Sequence, residues 1–284
     1  MTSPRHVLAA IPIVVSSFLT CCSQPSSAPE TAGIIQYQFA ATPSWQDEFD
    51  YTGKPDASKW SYDLGDHGWG NNELEDYTSK IENSKVENGN LVITAIKEKS
   101  GKANYSSARL VSKGKGDFLY GKFEIRAKLP SGRGTWPAIW MLFSENNYGN
   151  KGWPDNGEID IMEHVGFDQN RVHGNVHTKA FNHSIHTNKG NNLIVPNVSD
   201  DFHIYSCEWT PDTISILVDG NSYFKFAKES SYQWQEWPFD KPLHLILNIA
   251  VGGNWGGQKG VDDSIFPRKM EIDYVRVYPL ITKK

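Results

Sequence analysis

Three carboxylates fall within six residues at Glu158, Asp160 and Glu163, interleaved with Ile159, Ile161 and Met162. A solvated acidic loop has no use for those apolar side chains, so the segment reads as a strand with one acidic face and one core face. Simple alternation puts Glu158 and Asp160 on one side and Glu163 on the other; one extra residue at Ile161–Met162, as a β-bulge, brings all three together. A helix fails, because at about 100° per residue Glu158 and Glu163 would diverge by roughly 140°. With the bulge, the two Glu Cα atoms lie roughly 13 Å apart. Side chains leaning together then reach the separation of about 5–5.5 Å that retaining hydrolysis of a glycosidic bond uses. Asp160 is a like charge to both and favours keeping one carboxyl protonated, as a general acid must be. The bland alternative is a salt-bridged acidic strand on a sheet surface.

Such a strand needs neighbours. Short runs at Leu91–Lys97, Ser106–Ser112, Phe118–Leu129 and Thr135–Phe143 carry β-branched and aromatic residues between Gly, Pro, Ser or Asn. In Gly121–Leu129 the residues Phe123, Ile125, Ala127 and Leu129 share one face, the pattern of a half-buried antiparallel strand. Val172–Thr178 alternates again; Phe202–Trp209, Thr213–Val218, Ser222–Phe226 and Met270–Tyr278 are further strands, and Leu243–Ala250 is apolar enough for a sandwich core. Asp219-Gly220-Asn221 reads as a hairpin turn, and Glu229–Gln235 as the one short helix. The result is an all-β chain of two antiparallel sheets.

Other residues point at the acidic face. Trp136 and Trp140 are four apart, on one strand face, with Ala138 between them leaving room for a ring. Trp153 precedes the acidic strand, and Trp255 sits on a Gly-rich loop, Gly252–Gly257, placed to contact a ligand. His177 is expected beside Glu163. A zinc site built from His173 and His177 is disfavoured, because two residues four apart on a strand are about 13 Å from one another. Trp69-Gly-Asn-Asn72-Glu is a turn with an aromatic tip, and Arg109 is flanked by Ala108 and Leu110, so its side chain leaves the core.

The chain has 284 residues, a formal charge of −5, ten Trp, twelve Tyr, thirteen Phe and 24 Gly. The charge excludes the basic face that nucleic-acid binding requires. The aromatic and Gly content suits tight turns and a surface for sugar rings, whose apolar faces stack on indoles. Neither a repeat nor an internal linker argues for two domains, and a monomer is the expectation.

Residues 1–22 stand apart. Arg5 precedes an apolar run from Val7 to Leu19, too short to span a bilayer and shaped like a signal-peptide core. Leu19-Thr-Cys21-Cys22-Ser23 resembles a bacterial lipobox: Leu19, three residues earlier, favours acylation at Cys22, with Cys21 the alternative. The expectation is an exported lipoprotein at the outer membrane or cell surface, touching the membrane only through that anchor; the alternative is an ordinary secretory signal and a secreted or periplasmic protein. Residues 23–38, rich in Ser, Pro and Ala, read as a tether to a domain over 39–284. Cys207 is left without a disulfide partner in that domain and is expected to be a buried small hydrophobe.

Glu158-Ile-Asp-Ile-Met-Glu163 resembles the E-x-D-x-x-E signature of glycoside hydrolase family 16, in its laminarinase-like branch, which carries the bulge. Trp69–Thr78, Ser107–Leu110, Trp136–Met141, Val172–Thr178 and Asn248–Gly257 resemble the same family in the same order. The resemblance implies a curved β-jelly-roll sandwich, concanavalin A-like, with an open concave cleft, and an endo-acting retaining β-glucanase without a catalytic cofactor. It makes Glu158 the nucleophile, Glu163 the acid/base and Asp160 their helper. It makes Asn72 and Arg109 sugar-hydroxyl donors, and Trp136 and Trp140 subsite walls. It further implies a structural calcium held by Glu48, the Gly89 carbonyl and Asp273. The expected substrate is β-1,3 or mixed-linkage β-1,3/1,4-glucan. Alternatives are the same chemistry on agarose, carrageenan or xyloglucan, or a non-catalytic glycan-binding protein on the same scaffold.

Overall fold

The computed structural model describes residue 1, residues 36–149 and residues 152–283. The signal segment, Cys21, Cys22 and most of the tether therefore lie outside the described residues. The compact unit spans Ile35–Lys284. It begins before the expected boundary at 39, because Gln36–Phe39 pairs antiparallel with Leu280–Lys283.

Two eight-stranded antiparallel sheets form a jelly-roll sandwich. The front sheet runs Lys189–Ile194, Arg171–His177, Glu158–His164, Thr135–Phe143, Leu243–Val251, Arg109–Val111, Ser61–Tyr62, with Asp117–Phe118 also on Leu243–Val251. The back sheet runs Asn221–Ala227, Thr213–Val218, His203–Trp209, Gly121–Lys128, Arg268–Tyr278, Asn90–Ala95, Ser84–Glu87, with Trp45–Asp47 beside Arg268–Tyr278. Sequence neighbours are often not sheet neighbours, so each sheet is stitched by long crossings.

The core lies between the sheets. Phe123, Ile125 and Ala127 of the back sheet belong to one buried cluster with Ile139, Met141, Ile159 and Ile161 of the front sheet. Each such large side chain contributes about 1.5–3 kcal/mol relative to exposure. All nine residues of Leu243–Val251 are buried. Its odd positions face the core, while Asn248 and Ala250 turn to the opposite, concave side of the sheet. Burial on both faces explains why this strand reads as a continuous apolar run. Cys207 is fully buried, and that burial pushes its thiol up. Asp219 and Gly220 both have positive φ, as a two-residue hairpin turn of this hand requires.

The short helix expected at Glu229–Gln235 is absent; turns replace it, and Tyr232 packs on Phe181 and Phe226. Among the described residues, helix is confined to the 3₁₀ turns His183–Ile185 and Asp263–Ile265. No helix among the described residues is long and apolar enough to cross a membrane.

His164 follows Glu163 and so turns inward, fully buried with neither ring nitrogen paired; burial lowers it to about 4. The unfolded chain takes a proton there below about pH 6.5 and the folded chain does not, so the stability tied to this group is lost as pH falls from about 6.5 towards 4. Urea unfolding of wild type and His164→Leu should show the wild type losing up to about 3 kcal/mol more across that window. Parallel stability curves would mean that His164 is protonated within the fold.

Candidate active site

The acidic strand carries the expected irregularity. Against Thr135–Phe143 it pairs Trp140 with Asp160 and Leu142 with Glu158, then Ile139 with Met162 and Ala138 with Glu163, leaving Ile161 as the extra residue. Against Arg171–His177 the same shift falls between Asp160 and Glu163. The kink is therefore held from both sides. Ile161 and Met162 both go into the core, fully buried, and Glu163 emerges on the face of Glu158 and Asp160.

All three carboxyls line one cleft of about 740 Å³. His177, opposite Glu158 in the sheet, sets its Nε2 3.1 Å from Asp160 Oδ2 and 3.9 Å from Glu158 Oε1. The two oxygens of Glu163 each receive a donor, Trp136 Nε1 at 3.1 Å and Asn175 Nδ2 at 3.2 Å. Burial pushes Glu158 up to about 8, with the Asp160 charge next in weight. Glu163 rises to about 7, again chiefly through burial, while the donors from Trp136 and Asn175 pull the other way. Asp160 is raised well above the usual carboxylate range by burial and then by the charge of Glu163. Three carboxyls enclosed together cannot all ionise, so the cluster holds protons at neutral pH as a set.

The walls are aromatic. Trp140 donates to Asn248 at 2.8 Å, and Arg109 lies over both Trp140 and Trp69, its guanidinium 4.8 and 4.6 Å from the ring centroids. Arg109 also pairs with Asp63 at 3.1 Å, which fixes its fork in the cleft. Trp255 meets Trp136 edge-on at 5.6 Å, and Trp153 stands 6.0 Å from the His177 ring.

Of the residues expected to bind ligand, Arg109, Trp136, Trp140, Trp153, His177 and Trp255 all line the cleft. Asn72 does not. It is exposed, with positive φ, and its amide donates to Asn254 at 2.8 Å, tying the Trp69 turn to the Trp255 loop; Asn71 and Glu73 face the cleft instead. The turn's left-handed geometry redirects the side chain, which a reading by position misses. Sequence reasoning also passed over Asn175, although it sits between His173 and His177 on their face; strand parity alone would have found it.

The expected calcium donors come to one edge of Arg268–Tyr278. Asp47 pairs with Val275 and Leu91 with Ile272, so the segments of Glu48 and Gly89 flank the stretch of this strand that holds Asp273. Two carboxylates and a carbonyl are a calcium-type set. Both acids have other partners: Glu48 forms a two-pronged pair with Arg276 at 2.8 and 2.7 Å, and Asp273 meets Arg126 at 2.6 Å. His173 meets Trp255 edge-on at 4.8 Å, and His177 lies beside Asp160. The grouping that could ligate a metal among the described residues is Glu158, Asp160 and His177.

A family model described as glycosyl hydrolases family 16 matches residues 71–276. The chain belongs to this family. It is 57% identical over 239 residues to a beta-glucanase of Rhodothermus marinus, covering 82% of this chain and 84% of that protein. The solved laminarinase from Rhodothermus marinus matches with a TM-score of 0.84 and 53% identity, covering 87% of this chain and 99% of that one. A glucan endo-1,3-beta-glucosidase A1 of Niallia circulans is 37% identical over 257 residues; the match covers 82% of this chain and only 37% of that longer protein.

Gly190 exposes how closely Asn175 is held in this family 16 fold. A Cβ at Gly190 would strike Asn175 Oδ1 and, at 2.7 Å, the Gly174 carbonyl. Gly190→Ala should cost about 1–3 kcal/mol in chemical denaturation, because the clash includes backbone. An unchanged midpoint would mean that the edge strand gives way freely.

Proposed function

We propose that this protein is an endo-acting retaining β-glucanase that cleaves β-1,3 or mixed-linkage β-1,3/1,4-glucan. The observation that carries the proposal is the bulge at Ile161, which aims Glu158, Asp160 and Glu163 into one aromatic-walled cleft. Glu158 attacks the anomeric carbon as Glu163 protonates the departing oxygen. The glycosyl–Glu158 ester is then hydrolysed by a water that Glu163 deprotonates. Asp160, the most buried of the three, stands beside Glu158 and holds it in position, and its charge favours a proton on its neighbour, whereas His177 favours the charged form of Glu158. Burial raises both Glu158 and Glu163, and the energy of binding a sugar chain is what places the shared proton on Glu163.

An open cleft walled by Trp136, Trp140, Trp153 and Trp255 suits the middle of a neutral chain. Arg109 is the cleft's one arginine among the described residues and is already paired with Asp63, which disfavours sulfated galactans. The relatives named as glucanases favour glucan over agarose, carrageenan or xyloglucan. A binding protein on this scaffold would need the tryptophans but not the paired acids.

We further propose that an acylated Cys22, or Cys21, tethers the exported enzyme. A calcium ion held by Glu48, the Gly89 carbonyl and Asp273 would brace the edge of the back sheet in exchange for the two arginine contacts. Palmitate labelling that is lost in Cys22→Ser, and a melting temperature raised by calcium in wild type but not in Asp273→Ala, are the expected results. Absent labelling, or equal melting in calcium and chelator, removes the corresponding element.

Purified protein should release reducing ends from laminarin and barley β-glucan well ahead of agarose and xyloglucan. Glu163→Ala should lose about 10²–10⁴-fold in turnover, and Glu158→Ala at least as much while still binding oligosaccharide. Equal binding without cleavage by wild type would make this a glycan-binding protein. Since Glu163 must be protonated to act, kcat/KM should fall as pH rises through about 7. Asn175→Ala, which removes a donor to the charged form, should move that alkaline limb upward; a limb that stays put or moves down takes the acid role from Glu163.

A further inference from the structure

A chain of hydrogen-bonded polar side chains runs from the cleft wall at Trp140, through Tyr77 behind it, and back to the wall at Glu73. Trp140 Nε1 donates to Asn248 Oδ1 at 2.8 Å, and Asn248 Nδ2 donates to Tyr77 Oη at 2.9 Å. Tyr77 Oη in turn donates to Glu73 Oε2 at 3.1 Å, while Asn71 Nδ2 supplies Glu73 Oε1 at 3.2 Å. The polarity is one-way: all four links run towards the Glu73 carboxyl, which accepts at both oxygens.

Glu75 closes the chain. It is 1% exposed, and its Oε2 accepts the backbone N–H of Val251 at 2.6 Å, at the root of the loop that carries Trp255. Its Oε1 is enclosed and receives no donor. That oxygen would be costly to bury as an anion beside a second anion. Glu73, two residues back on the same side of the chain, is the neighbouring carboxyl, and a proton on the enclosed Glu75 Oε1 shared with it would satisfy both groups at once. Burial and the charge of Glu73 act in the same direction, raising Glu75 well above the usual carboxylate range. Burial raises Tyr77, from the same strand, most; the charge of both carboxyls raises it further, and Arg109, from the front sheet, lowers it.

We propose that Glu75, which touches no substrate, is a positioning residue: as a neutral acid it donates to Glu73 and locks together three parts of the sugar-binding wall. Those parts are Trp140 on the front sheet, the turn carrying Trp69 and Asn71, and the Trp255 loop, which also joins Glu73 through the bridge at Gly252. A neutral acid is required at position 75, because an anion there would face Glu73 and reverse the last link. The amide of Gln reproduces the neutral acid, donating with its NH₂ and accepting with its oxygen. Ala reproduces neither.

The inference rests on the glucanase reading for its kinetic test and is independent of it in a second one. On laminarin, Glu75→Ala should raise KM about tenfold or more and leave kcat within about threefold, since a wall is loosened and the reacting acids are not. Glu75→Gln should restore KM to within about twofold of wild type. Tyr77→Phe cuts the next link with little risk to folding and should raise KM several-fold. Without any substrate, hydrogen exchange at the Trp140 indole N–H, assigned through Trp140→Phe, should be slow in wild type and Glu75→Gln and faster in Glu75→Ala and Tyr77→Phe. Glu75→Gln behaving like Glu75→Ala, a loss confined to kcat, or equal indole exchange in all four proteins would overturn the proposal. A wild type that fails to cleave laminarin but shows the exchange pattern would sink the glucanase reading and leave this one standing.

Discussion

One residue too many in the strand Glu158–His164 sets the chemistry of the whole cleft. Strand parity is rigid: without Ile161 as an extra residue, Glu163 would point between the sheets, where an ion could not be kept. The kink persists because its neighbours on both sides shift register at the same place, and because Ile161 and Met162 are both fully buried. The energy of two apolar side chains in the core thus holds two acids on the face opposite. Core packing and catalytic geometry are the same set of contacts seen from two sides of one sheet.

The acids could not behave as they do in water. Enclosure by Trp136, Trp153, His177 and the flanking strands raises all three, and their mutual repulsion adds to it. A general acid at neutral pH follows from this low-dielectric setting without any metal ligand or special residue. The finer division of labour comes from hydrogen bonds. Glu163 has two donors that stabilise its charge, whereas His177 Nε2 stands 3.1 Å from Asp160 Oδ2 and 3.9 Å from Glu158 Oε1.

Around this centre the fold assembles walls from remote parts of the chain. The Trp69 turn, the Arg109 strand, the Thr135–Phe143 strand and the Trp255 loop meet only because the Leu243–Val251 strand lies between them in the front sheet. Asn72 to Asn254, and Glu73 to Asn248 by way of Tyr77, are the links that turn these separate pieces into one surface. Rigid aromatic surfaces lose little entropy when a sugar chain settles on them, so a stiff wall favours binding.

Periodicity is local, and what is local could be read in advance. The alternation in Gly121–Leu129, the exact extent of Thr135–Phe143 and Thr213–Val218, the turn at Asp219-Gly220, the burial of Cys207 and the bulge with its three acids all follow from side-chain spacing of two. Short strands such as Ser61–Tyr62 and Glu75–Tyr77 escaped notice because two or three residues carry no period, and the helix expected at Glu229–Gln235 gave way to turns packed by Tyr232. By itself, then, the sequence determined which acids share a face and which tryptophans accompany them, since parity along a strand needs no knowledge of its neighbours. Only the tertiary structure decided that Asn72 is spent on Asn254, that Asn175 and Trp136 hold Glu163, and that Glu75 stands behind the wall, because each of those facts is a pairing between segments far apart in the chain.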